Sequence, residues 1–264
     1  MMPELATIDI RVTGHVAEIT LNRPAALNAF THEMHGELKQ AFLAARDKPE
    51  IRAIILAANG RSFSAGGDFD LILASREDAA ARAEMQSEAR PLLMAIADSP
   101  IPVIAALQGD AIGLGATIAL GADAIVAARL ARICDPHVVI GLAAGDGGAV
   151  LWPLHIGLLR AKRYLLTGDR LTAEEAYAMG LVTDLVDTPE QVLDAARQLA
   201  ARIAALPPLA VQGTKRALNQ IFRNRADAVF EQALQAEMDN FTNDDVAEAI
   251  AAIKARRKPV YKGQ

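Results

Sequence analysis

Apolar residues recur with two periods along this chain, and the switches between them predict its elements. Within residues 6–22, Val16, Ile19 and Leu21 give two short strands their apolar character, and Thr13-Gly14 forms the turn between them. Pro24 ends the second strand because it lacks a ladder N–H. Thr31 is the expected N-cap of a helix running to Asp47, along which Met34, Leu38, Phe42 and Leu43 recur at helical spacing. Residues 51–57 are a short apolar run suited to a buried strand. A glycine-rich loop follows over 59–68, then an Ala- and Glu-rich helix over 77–97 and a buried strand over 102–107. A second glycine-rich segment, 109–115, leads into an apolar helix, and 123–128 reads as a strand.

Strands alternating with helices predict an α/β core with parallel or mixed pairing. Beyond residue 148 the pattern turns helical. Helices are expected over 158–167, 172–179, 189–206, 208–222, 226–240 and 243–257, with one strand near 181–186. Gly168 and Gly180 stand where helix C-caps belong. The chain therefore reads as a core over residues 1–200 and a C-terminal helical region over 201–264.

Composition narrows the function. Of the 264 residues, 52% are hydrophobic and only 4% aromatic, so the core is built from Ala, Leu, Ile and Val and offers little for base stacking. The net charge of −5 and the lack of a basic stripe argue against nucleic acid. The basic cluster Lys254, Arg256, Arg257 and Lys258 reads as a solvated helix end. A single cysteine, Cys134, permits no intrachain disulfide and fits a reducing cytoplasm. Residues 1–11 do not read as a signal peptide, and residues 101–128 are too interrupted by Gln108, Asp110 and Asp123 to read as a membrane span. No phosphate-loop motif, dinucleotide fingerprint or metal-ligand spacing stands out.

The chemistry centres on the loops at 64–68 and 109–115. Glycine lets the main chain approach a ligand closely, and the second loop opens a helix whose first N–H groups have no internal partners. Two such donors aimed at one point form an oxyanion hole, in which a lost donor costs about 3–4 kcal/mol of transition-state stabilisation.

Several ordered motifs resemble the enoyl-CoA hydratase/isomerase (crotonase) superfamily. They are Leu21-Asn22-Arg23-Pro24 with Asn28-Ala29, then Ser64-Ala65-Gly66-Gly67-Asp68, then residues 102–106 and 109–115. Leu166-Thr167-Gly168, Ala173-Glu174-Glu175-Ala176, Gly180-Leu181-Val182 and residues 258–262 complete the series. The resemblance implies a ββα spiral core over 1–200 and a trimerisation region over 201–264, assembled as a homotrimer or homohexamer. It implies an acyl-CoA thioester as substrate, with coenzyme A brought in as part of that substrate and no separate cofactor or metal. The backbone N–H groups of Gly67 and Leu114 are then the oxyanion donors. Ala26, Leu27, Ala65, Gly66, Asp68, Phe69 and Gly113 line the substrate, and Arg23, Lys258 or Lys262 are candidates to meet its phosphates.

The resemblance also exposes a departure. The two water-activating glutamates expected in hydratases fall at Thr117 and His137. Asp146 follows His137 nine positions later within Gly145-Asp146-Gly147-Gly148. A carboxylate beside an imidazole fixes its tautomer and stabilises its charged form, so His137 and Asp146 are the expected acid/base pair. The same pair resembles that of crotonase-fold hydrolases that cleave β-diketones, which leaves C–C hydrolysis and a non-catalytic CoA-binding role as alternatives. His15, His32 and His35 are expected at the surface. Cys134 is expected in the core.

Overall fold

The computed structural model describes residues 2–263. Six strands form the main sheet: β1 Ile8–Thr13, β2 Val16–Leu21, β3 Ala53–Ala58, β4 Val103–Leu107, β6 Ala124–Ala128 and β9 Asp184–Val186, in that spatial order. The β1–β2 hairpin is antiparallel and every other pairing is parallel. All five residues of β4 and the first five of β3 are buried, as apolar runs covered on both faces must be. A small second sheet joins β5 Ala111–Ile112, β7 Arg132–Cys134 and β8 Leu171–Thr172.

Ten helices complete the described chain: α1 His32–Arg46, α2 Phe69–Glu77, α3 Ala79–Ala97, α4 Leu114–Leu120, α5 Gly148–Ile156, α6 Leu158–Leu165, α7 Ala173–Met179, α8 Pro189–Ala204, α9 Pro208–Asn240 and α10 Asp244–Lys254. Thr31 caps α1, its hydroxyl accepting from the Met34 N–H. Helix α3 rests on α1, and α8 lies across β3, β4 and β6. No helix among the described residues is long and apolar enough to cross a membrane.

The α/β core with a helical C-terminal region is present, with several departures from expectation. The helix expected over 77–97 is present as α3, and an unexpected helix, α2, runs up to it, the two meeting at Asp78. This carboxylate accepts from Ala80 N and Ala81 N, starting a new helix where the previous one ends. The helices expected over 208–222 and 226–240 are one continuous α9, since the intervening Arg223-Asn224-Arg225 contains no glycine or proline to break it. The expected boundary at 200/201 falls inside α8. Helix α5 and the three strands of the small sheet are too short for period counting to separate from loops.

Helix α9 is not a detached appendage. Phe222, Ala226, Phe230, Leu234 and Met238 are buried against the rest of the chain, with α3 and α5 among the neighbours. Each large apolar side chain so buried contributes about 1.5–3 kcal/mol. Near its start, Lys215 Nζ donates to Ile101 O at 3.0 Å and to Asp123 Oδ2 at 2.5 Å, tying α9 to the ends of β4 and β6. The apolar residues of this region divide: Leu209 and Leu218 are exposed, whereas Phe222, Phe230, Leu234, Met238 and Phe241 are buried within the chain.

Candidate functional site

The two glycine loops meet. Ser64 and Ala111 form a parallel bridge, with Ser64 N donating to Asp110 O and Ile112 N to Ser64 O, both at 3.0 Å. Gly66 has φ +89°, and a β-carbon there would lie 2.7 Å from Ile112 O, so a larger residue would force the loops apart. The first loop is also zipped to the segment after Pro24. Ala65 N donates to Leu27 O, Phe30 N to Gly66 O and Asp68 N to Phe30 O. Asn28 anchors this junction. It is fully buried, receives the Arg23 N–H on Oδ1, and donates from Nδ2 to Asn59 O and Ser62 O.

Among the described residues, neither the Gly67 N–H nor the Leu114 N–H has a hydrogen-bond acceptor. Gly67 lies in the bridge to Phe30, whose bonds use its neighbours Gly66 and Asp68. Leu114 is the first residue of α4, where the N–H groups have no intrahelical acceptor. Gly113, at φ +54°, caps that helix, and Asp110 pairs with Arg132 at 2.6 Å to hold the loop on β7.

Ala65 is exposed, while Ala26, Leu27, Asp68 and Phe69 are partly so, around the same loops. Asp68 caps α2 by accepting from Asp70 N, and its carboxylate lies 3.7 Å from Arg23. These are bracing contacts. In the basic tail, Arg257 pairs with Glu248 and Lys254 with Asp70.

His137 opens a 3-10 turn, His137–Ile140, directly after β7. Its ring is held at both nitrogens. Nδ1 lies 2.5 Å from Asp135 Oδ1, and Nε2 lies 3.5 Å from Asp146 Oδ2. The pairing expected from sequence therefore needs correcting in one respect. Asp135, two residues upstream, orients the ring, while Asp146 faces the opposite nitrogen. Asp146 does not cap α5, whose N-cap is Gly147 and has no side-chain bond. Instead, Asp146 Oδ1 accepts from Thr117 Oγ1 at 3.0 Å. The two positions left without glutamate thus converge on one aspartate.

The glycines around Asp146 make room for this. A β-carbon at Gly147 would lie 2.7 Å from Thr117 Cγ2, and one at Gly148 would lie 2.1 Å from Asp135 Oδ2. A fourth group arrives from α9, with Glu237 Oε1 3.9 Å from His137 Nε2. All four side chains are buried.

The electrostatics follow from that burial. Desolvation works against the His137 charge, but Asp135 and Asp146, with Glu237 behind them, outweigh it and hold the imidazole well above its ordinary value. Burial raises the Asp146 carboxyl, opposed by His137 and the Thr117 hydroxyl. Burial likewise pushes Glu237 up to about 8. Asp135, His137 and Asp146 bring ligand-type atoms within 4.8 Å of one another. The Nδ1···Oδ1 contact of 2.5 Å is the short hydrogen bond between the ring and Asp135.

Of the other histidines, His15 is exposed as expected, His32 is partly buried, and His35 departs most from its expected surface position. It is partly buried, edge-on to Phe30 with ring centroids 5.4 Å apart, and burial lowers its pKa to about 4. Cys134 is buried as expected, and burial raises its thiol to about 11.

Paired glycine loops beside a buried histidine–carboxylate cluster, set on a mostly parallel sheet, define a crotonase-fold protein. The sequence model of the enoyl-CoA hydratase/isomerase family matches residues 11–264, and the chain belongs to that family. It is 34% identical over 251 residues to 1,2-epoxyphenylacetyl-CoA isomerase of Escherichia coli K12, covering 94% of this chain and 95% of that one. It is 33% identical over 251 residues to 2,3-dehydroadipyl-CoA hydratase of the same organism, covering 93% and 94%. The crystal structure of an enoyl-CoA hydratase/isomerase from Mycobacterium paratuberculosis superposes with a TM-score of 0.90 at 38% identity, covering 94% and 99%.

Proposed function

We propose that this protein is an acyl-CoA enzyme that moves a proton at the carbon next to a thioester carbonyl. The thioester oxygen accepts from the N–H groups of Gly67 and Leu114, and the developing enolate is stabilised there. One observation carries the reading: a β-carbon at Gly113 would lie 3.9 Å from both the Gly66 α-carbon and His137 Cε1. The residue preceding one proposed donor therefore lies beside both the other loop and the acid/base cluster.

The charge states assign the roles. Asp146, raised by burial yet supported by the Thr117 hydroxyl, takes the proton from carbon or from an attacking water. His137, kept protonated by its carboxylates, supplies a proton from Nε2 at the end of the step. Asp135 fixes the ring and does not touch substrate. Hydration and double-bond migration both pass through this enolate, and general acid–base help of this kind is worth about 10²–10⁴-fold. The named relatives act on CoA thioesters, which supports a thioester over a free β-diketone. Coenzyme A enters as part of the substrate, between the 25–28 segment and the 65–69 loop.

The exposed Leu218 and Ile221 of α9 are the proposed face for assembly into a trimer or hexamer, checked by light scattering in solution. The deciding experiment is a screen of saturated and unsaturated acyl-CoA thioesters and free β-diketones, with products read by mass spectrometry. Turnover of a thioester is the expected result. Turnover of diketones alone, or of neither class, overturns the proposal.

A further inference from the structure

The proposed reaction leaves one buried acid of the site without a task. Glu237 lies on the face of α9 that also carries Phe230, Leu234 and Phe241, and it is only 5% exposed. Gly145 lets it come this close. A β-carbon at Gly145 would sit 2.5 Å from Ala233 O and 2.7 Å from both Glu237 Cβ and Glu237 Oε2.

Charge counting then restricts its state. The groups facing His137 are Asp135 at Nδ1 and both Asp146 and Glu237 at Nε2. No lysine or arginine among the described residues pairs with any of these three carboxyls. Arg90, on α3 against α9, is already paired with Asp227 and Glu231. Three ionised carboxyls against one imidazolium would bury uncompensated negative charge, which is strongly disfavoured. Asp135 also has a partnerless oxygen, Oδ2, but its Oδ1 meets both the backbone N–H and Nδ1 of His137, so the proton is kept by one of the two carboxyls at Nε2. Asp146 has the Thr117 hydroxyl to stabilise its charge. Among the described residues no hydroxyl donates to Glu237, the Gly145 N–H goes to Ala143 O, and Glu237 Oε2 is buried with no partner. Hydrogen bonds to the charged form favour ionisation, and their lack at Oε2 favours the neutral acid.

We propose that Glu237 is a positioning residue that works as a neutral acid, leaving Asp146 as the one carboxylate facing His137 Nε2. The proposal rests on the acid/base roles given above to His137 and Asp146. When Glu237 loses its proton, Nε2 faces two carboxylates, and His137 becomes an imidazolium held too tightly to release its proton. Burial places that loss at about pH 8. Helix α9 thus completes the site electrostatically.

The first test needs no substrate, so it stands even if the acyl-CoA reading fails. Carboxyl groups are followed by carbon-13 NMR in the intact protein while pH is raised. One resonance should titrate above pH 7 and be missing in Glu237→Gln. The proposal is overturned if no carboxyl titrates there, or if that resonance survives the substitution. Should the Gln variant not fold, Glu237→Asp must move the same resonance, and an unmoved resonance overturns the proposal. The second test is the pH profile of kcat. The wild type should fall about tenfold per pH unit above its alkaline midpoint. Glu237→Gln should lose that limb, stay within about threefold of wild type at pH 7 and keep its KM, whereas Glu237→Asp should retain the limb. An unchanged limb in the Gln variant, or a loss of about a hundredfold at every pH, overturns the neutral-acid role.

Discussion

The site has a backbone half and a side-chain half, and they are built on different principles. The loops at 64–68 and 109–115 offer N–H groups whose directions depend on main-chain geometry, with Gly66 pressed onto Ile112 O to hold that geometry. The cluster of Asp135, His137, Asp146 and Glu237 depends on charge, burial and proton count. The first half tolerates side-chain change wherever the backbone path is kept. The second changes with pH and with any residue that adds or removes a charge.

Breaking the side-chain half should give the largest effect. His137→Ala should lower kcat by about 10²–10⁴-fold with little change in acyl-CoA affinity, measured by steady-state kinetics and calorimetry. Asp146→Asn should lose a comparable amount. The double variant should be little worse than either single one, because the two residues act in the same proton transfer. Breaking the backbone half comes next. In Gly66→Ala the added β-carbon meets Ile112 O, so the loops separate and one donor is lost. The expected fall in kcat/KM is about 10²–10³-fold.

A smaller change sharpens the contrast. Thr117→Val removes the hydroxyl that donates to the Asp146 carboxylate. A hydrogen bond to the charged form lowers a carboxyl pKa, so its removal raises that of Asp146. Because Asp146 works ionised, the acidic limb of the rate profile should move to higher pH, by about one unit. The smallest effect belongs to Leu114→Ala, which trims a side chain but leaves the N–H in place. Kinetics should change by about threefold or less, and a loss matching that of Gly66→Ala would show that the side chain, and not the backbone, matters there.

The same division marks what was legible in the sequence. The glycine loops, the main strands and α1 rest on local spacing, and local spacing survives in a linear reading. The vacancy at Thr117 and His137 was also visible, as was Asp146 beyond it. The orienting role of Asp135 was assigned to Asp146, because sequence distance does not say which ring nitrogen a carboxylate meets. Glu237 was missed altogether, being a hundred positions from His137. One signal was present: it falls at helical spacing with Phe230, Leu234 and Phe241, so a charge stood on an apolar stripe. The short strands β5, β7 and β8 escaped because two or three residues carry no period.

The central claim is that an enolate forms between the two halves, and isotope exchange addresses it most directly. A saturated acyl-CoA incubated with the protein in heavy water should take up deuterium at the carbon next to the thioester, seen by proton NMR. Asp146→Asn should abolish that uptake while still binding the thioester. A bound acyl-CoA that shows no exchange with the wild type, or exchange undiminished in Asp146→Asn, would contradict the account.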